Sequence, residues 1–190
     1  MGKTSPHPQR LRLKFNMAMS LNGWTAFKYK LDPRLRTIKI PGTDRSVTVA
    51  RSAAPLFAAF LSDWNERMPK RLKLDVGPVD GWNYRVSRMV DNLSNHASGS
   101  AVDLRYDVLK ADGKPHMTKS EKSILNNILL KFRTADGHRV LANGEWWNTP
   151  DGMHTELSQS WDRNALRNTT SKDVAEVIKL LGIDKNGNYV

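Results

Sequence analysis

Ser94-Asn95-His96-Ala97-Ser98-Gly99-Ser100-Ala101-Val102-Asp103 is the stretch on which the reading of this chain turns. Gly99 and Ala101 remove bulk between His96 and Asp103, and Ala101-Val102-Asp103-Leu104 alternates as a strand does, with Asp103 opposed to Val102 and Leu104. A carboxylate between apolar neighbours on a buried strand needs a partner, because a desolvated charge without one is very costly. Two partners are open: a metal shared with His96, or a salt bridge that leaves His96 at the surface. A second cluster follows at Asp151-Gly152-Met153-His154-Thr155-Glu156. In an extended segment His154 and Glu156 share a face, so Glu156 can orient His154 from behind. The alternative is a plain loop histidine. Taken together, two imidazoles and a carboxylate beside small residues are what a catalytic zinc needs, with a fourth position left to water. A carboxylate near the third ligand can serve as general base, so the expected chemistry is metal-assisted hydrolysis.

The flanking sequence supplies short elements. Thr37-Ile38-Lys39-Ile40 and Ser46-Val47-Thr48-Val49 alternate polar with apolar around a Pro41-Gly42 turn, which predicts a hairpin. Pro55 fits a first helical position with Ser52 as the cap, and Leu56, Phe57, Phe60, Leu61 and Trp64 fall on one face of a helix running to about Arg67. Thr118-Lys119-Ser120-Glu121 is a capping box; it opens a helix with Ile124, Leu125, Ile128, Leu129 and Phe132 inward, closed by Gly137. A short strand is expected at Arg139–Ala142. Thr170-Ser171-Lys172-Asp173 opens a third helix with Val174, Val177, Ile178 and Leu181 inward, ending at Gly182. Short strands, three helices and long loops predict an α+β fold. The expected division is a mobile basic arm over 1–16, a domain over 17–165 carrying both clusters, and a C-terminal helix and tail over 166–190.

Composition bounds the function. The 190 residues suffice for one well-packed domain, and 39% hydrophobic with 26% charged residues is ordinary globular usage. There are no cysteines, so any metal must be held by His and carboxylate. Thirty Lys+Arg against nineteen Asp+Glu give a net charge of +11, which calls for a polyanionic partner, either nucleic acid or an anionic cell wall. No run approaches the roughly 20 apolar residues that span a bilayer, and the N-terminus lacks the apolar core of a signal peptide. The expected location is therefore the cytoplasm at synthesis. Trp146, Trp147 and Trp161 crowd the second cluster and form either an apolar pocket wall or plain core. His7, His116 and His138 read as solvated loop residues, and Asp184-Lys185-Asn186-Gly187-Asn188 lacks the downstream Glu of a calcium loop.

The two clusters also carry a resemblance. Ser94 to Asp103 is similar to the S-x-H-x-x-G-x-A-x-D signature of the D-Ala-D-Ala carboxypeptidase (VanY-like) zinc peptidases. Gly144-Glu145-Trp146-Trp147-Asn148-Thr149-Pro150-Asp151-Gly152-Met153-His154-Thr155-Glu156-Leu157 resembles the G-D-W…D-x-x-H-x-E-L segment of their phage L-alanyl-D-glutamate endopeptidase branch. Trp82-Asn83-Tyr84-Arg85 resembles the aromatic-N-x-R that precedes the first motif in VanY-like endolysins. The likeness covers about residues 80–160, in the family's order.

The resemblance implies a hedgehog/D-Ala-D-Ala-peptidase-like fold, a small antiparallel sheet with flanking helices, and a zinc ion bound by His96, Asp103 and His154. It implies a base at Asp151, which a tight turn would bring over the zinc-bound water, and an oxyanion role for Arg85. Glu145 is the rival base and Arg88 the rival arginine. Ser94, Glu145 and Glu156 are supporting residues, and Trp146 and Trp147 belong to the substrate pocket. Thr155 stands where the family often carries an aromatic residue. The implied activity is cleavage of peptidoglycan stem peptides by a monomeric phage endolysin, released through a holin or carried on the virion. A D,D-carboxypeptidase or dipeptidase would favour Glu over Asp151 as base. The reading from another class is a basic nucleic-acid- or wall-binding protein without enzymatic activity, although no helix-turn-helix, RNP-like or finger pattern accompanies it.

Overall fold

Alternation alone builds the first element. In this computed structural model, which describes residues 18–87 and 90–190, β1 (Leu35–Lys39) and β2 (Ser46–Ala50) form the expected antiparallel hairpin, with Leu35 opposite Ala50 and Ile38 opposite Val47. The basic arm, His7 and Arg88 lie outside the described residues.

Helix α1 (Ala54–Arg67) follows with Pro55 in its first turn, where a missing N–H costs nothing. Ser52 does not cap it. A 3-10 turn, Arg51–Ala53, runs straight into the helix, and Ala54 N donates to Arg51 O, so backbone does the capping. Leu56, Phe57, Phe60, Leu61 and Trp64 are all fully buried. Phe60 meets Trp64 and Phe132 edge-on, with centroids 6.0 and 6.1 Å apart. Pro69 bars a further turn, because the residue before a proline disfavours the helical region, and Met68 is accordingly extended.

Helix α2 (Lys119–Leu129) has the full capping box of Thr118 and Glu121. It ends well before Gly137, contrary to expectation. Phe132 O accepts from Val140 N, and Arg133 bridges Arg139, so the backbone past Leu129 is committed to a turn rather than a helix. Gly137, at φ +86, closes that turn. Helix α3 (Ser171–Leu180) carries a second capping box, from Thr170 and Asp173, and Gly182 follows at φ +59.

A four-stranded antiparallel sheet carries both clusters. Its strands are β3 (Val79–Asp80), β4 (Ala101–Leu104), β5 (Leu141–Gly144) and β6 (Asp151–Leu157), in the order β3-β4-β6-β5. Strand β5 begins two residues later than the sequence suggests, because Arg139 belongs to the bridge with Arg133. The two-residue period of a strand sorts side chains by face. Val102, Leu104, Leu141 and Leu157 go into one buried cluster with α1, α2, Val174 and Val177 of α3. Asp103, His154 and Glu156 go to the opposite face. The fold is thus mixed α+β with a small antiparallel sheet, and no helix among the described residues is long and apolar enough to cross a membrane.

Candidate metal centre

The register of β4 against β6 sets Asp103 directly opposite His154. His96 arrives from a 3-10 turn, Asn95–Ser98, capped by the Ser94 hydroxyl, which accepts from His96 N at 3.4 Å. The turn ends at Gly99, φ +67, where a Cβ would sit 2.5 Å from Ala50 N. Only glycine allows that close approach, so the small residue between His96 and Asp103 is a packing requirement. Asn22 and Ser20 hold the turn from outside: Asn22 N donates to Asn95 Oδ1 at 2.9 Å, and Ser20 Oγ to Ser98 Oγ at 2.8 Å.

Three donor atoms converge. His96 Nε2 lies 3.1 Å and His154 Nδ1 3.0 Å from Asp103 Oδ1, with 3.2 Å between the two nitrogens. This His96, Asp103 and His154 group can hold a metal ion. The atoms behind it fit that use. His96 Nδ1 donates to Gly81 O at 2.6 Å, which leaves the Nε2 lone pair facing the centre. His154 Nε2 donates to Glu156 Oε2 at 2.9 Å, which turns Nδ1 toward the same centre, where a metal would replace the proton that Nδ1 shares with Asp103. Glu156 is fixed in turn by Asn95 Nδ2 at 2.5 Å and Gln159 Nε2 at 2.7 Å. The sequence pointed to Glu156; Asn95 and Gln159 were missed, since neither is titratable and the partner of Asn95 lies 61 residues away.

Electrostatics match the donor set. Burial alone would raise Asp103, yet His96 and His154 hold it well below the usual carboxylate range. Burial would depress His154, but hydrogen bonds to Asp103 and Glu156 outweigh it and push it up to about 10. Two carboxylates that draw a proton this strongly would also attract a cation.

The centre lies in a cleft of about 670 Å³ whose walls include Arg85, Asp151, Trp146, Trp147 and Trp161. Asp151 gets there by a bulge rather than the expected tight turn. Asn143 pairs with Thr155 and Gly144 with Asp151, so three residues of β6 loop out between adjacent pairs. Strict alternation would have put Asp151 and His154 on opposite faces. Gly144 permits the bulge, since a Cβ there would lie 3.0 Å from Asp151 Cβ.

Other residues lie elsewhere. Glu145 is buried in an ion pair with Lys122 at 2.9 Å and is not part of the cleft wall. Thr155 is buried, with Oγ1 accepting from Asn143 Nδ2 at 2.9 Å. Trp147 packs on His154 and on Trp161, each at 5.4 Å, while Trp161 is 61% exposed and therefore pocket rim, not core. Asp162, a further residue the sequence did not mark, anchors Trp147 Nε1 at 2.9 Å; burial and the charge of Glu156 push it up to about 6. His116 pairs with Asp112 in its loop. His138 is not solvated: it is fully buried between Thr169 Oγ1 and Leu166 N, a position fixed by packing 28 residues downstream.

No family model, curated protein or solved structure matches the chain.

Proposed function

We propose that this chain is a zinc-dependent peptidoglycan peptidase of the hedgehog/D-Ala-D-Ala-peptidase type, cutting stem peptides as a phage endolysin of the L-alanyl-D-glutamate endopeptidase branch. The observation that carries the reading is the convergence of His96 Nε2, Asp103 Oδ1 and His154 Nδ1 at a cleft that Asp103, His154, Asp151 and Arg85 line. Two imidazoles and one carboxylate without thiolates are a catalytic rather than a structural zinc set. Zinc held there supplies Lewis acidity, polarising a carbonyl and lowering the pKa of water to about 7.

The chain's own residues do the rest. Asp151 takes the proton of the attacking water and returns it to the leaving amine. Arg85 donates to the carbonyl oxygen as negative charge develops there. Glu156, clamped by Asn95 and Gln159, keeps His154 aligned. The burial of Glu145 against Lys122 favours Asp151 as the base.

Mass spectrometry of fragments released from purified peptidoglycan tests the reading. New amino termini at one stem-peptide bond are expected with zinc and none after chelation. Undiminished cleavage by demetallated protein would remove the mechanism. Loss of only the terminal residue would favour a D,D-carboxypeptidase.

A further inference from the structure

In the wall of the same cleft a buried cation has no ion-pair partner among the described residues. Arg139 lines the cleft and is only 2% exposed. Its Nη2 donates to Asn126 Oδ1 at 2.9 Å, while its Nε is buried with no acceptor among the described residues. Across the isolated bridge lies Arg133, whose Nε is likewise buried without an acceptor among the described residues. Exposed Arg163 lines the cleft as well. Burial, then the charges of Arg133 and Arg163, pull Arg139 down to about 10, so it stays charged at neutral pH. Asp162 is close enough to favour that charge, but it accepts from Trp147 Nε1 and Gln159 N, and no ion pair joins it to Arg139 among the described residues.

A guanidinium presents five donors in a planar fork suited to a carboxylate or phosphate. Burying one unpaired costs several kcal/mol, and apolar replacements of buried charges often stabilise proteins. A fold that keeps such a group in the wall of the cleft that holds the metal centre has a use for an anion there. We propose that Arg139, with Arg163 at the mouth, forms an anion subsite of the cleft that takes a carboxylate of the bound ligand. That this carboxylate belongs to a stem peptide rests on the peptidase reading; the subsite itself does not.

The probe is glutarate, with melting of the full chain followed in sodium glutarate and in sodium chloride at matched ionic strength. Binding to the native state raises Tm with ligand concentration. A glutarate-specific rise is expected in the wild type and absent in Arg139→Met, which should melt no lower than the wild type without glutarate. If Arg139→Met does not fold, Arg163→Gln serves, with the response expected to weaken several-fold. No glutarate-specific rise, or an undiminished rise in the variants, would overturn the subsite; glutarate held by the metal centre would give the latter. A second arm compares KM for an acidic peptide and its side-chain amide. Amidation should raise KM about tenfold or more in wild type and little in Arg139→Met. A chain that shows the glutarate response but cleaves nothing keeps the subsite and loses the peptidase reading.

Discussion

At the scale of single residues, each imidazole of the centre is aimed by a second group. Nδ1 of His96 is committed to a carbonyl and Nε2 of His154 to Glu156, so the other ring nitrogens both point at the centre. Glu156→Gln should therefore weaken zinc affinity by roughly 10- to 100-fold, the usual effect of removing such a partner, as measured by competition with a chromogenic chelator. Asp151 is a different case, since it lines the cleft without joining the donor cluster. Asp151→Asn keeps shape but cannot take a proton, so it should retain zinc and lose at least about a hundredfold in rate. Glu145→Gln should cost stability through Lys122 rather than turnover. A dead Glu145→Gln beside an active Asp151→Asn would reverse the base assignment, and zinc loss in Asp151→Asn would make Asp151 a ligand. His138 gives a pH test. Its Nδ1 accepts from Leu166 N, so a proton there would face another N–H, and burial, then the charge of Arg167, lowers its pKa. A lowered folded value means the unfolded chain binds the proton first, so this contribution is present above about pH 6.5 and lost as pH falls through that value toward the folded one. Melts of wild type and His138→Gln should converge on acidification; a gap that does not narrow would show that His138 titrates alike in both states.

At the scale of elements, the centre exists because two strands and one turn meet in a fixed register. One residue of slip between β4 and β6 would send Asp103 and His154 to opposite faces. The register rests on the packing of Val102, Leu104 and Leu157 in one buried cluster with the inward faces of the helices. Phe60, which meets both Trp64 and Phe132, is the test: Phe60→Ala should cost about 3–5 kcal/mol in denaturant unfolding. A loss below 1 kcal/mol would mean that the α1–α2 contact does not support the sheet. Much of this was legible in the chain. Apolar residues on one helical face marked α1 to α3, alternation marked the hairpin and β4, and small residues beside His96 and Asp103 marked the centre. What escaped was set by tertiary contact. Ser52 looks like a cap, but a 3-10 turn supplies that role through backbone. The β6 bulge has no local signal beyond Gly144 and Gly152, and the Asn95–Glu156–Gln159 clamp joins residues 61 apart with residues three apart.

At the scale of the whole molecule, charge and site have different jobs. The net charge of +11 acts over distance, whereas the cleft is locally near balance, with Asp103, Asp151, Glu156 and Asp162 set against Arg85, Arg139 and Arg163. The excess of lysine and arginine therefore lies mostly outside the cleft, where it would serve the wall attachment that the proposed function calls for. Such attraction is screened over a Debye length of about 10 Å at 0.1 M salt and about 3 Å at 1 M. Coordination of zinc by three protein ligands is short-ranged and not screened in this way. Raising salt should thus release the protein from purified cell walls while its zinc content stays constant, as read by co-sedimentation together with metal analysis of the bound and free fractions. Wall binding that is indifferent to salt would place recognition in specific contacts instead of net charge. Tight, sequence-selective DNA binding with no affinity for walls would move the whole reading to the nucleic-acid class, because the same charge would then be serving phosphates.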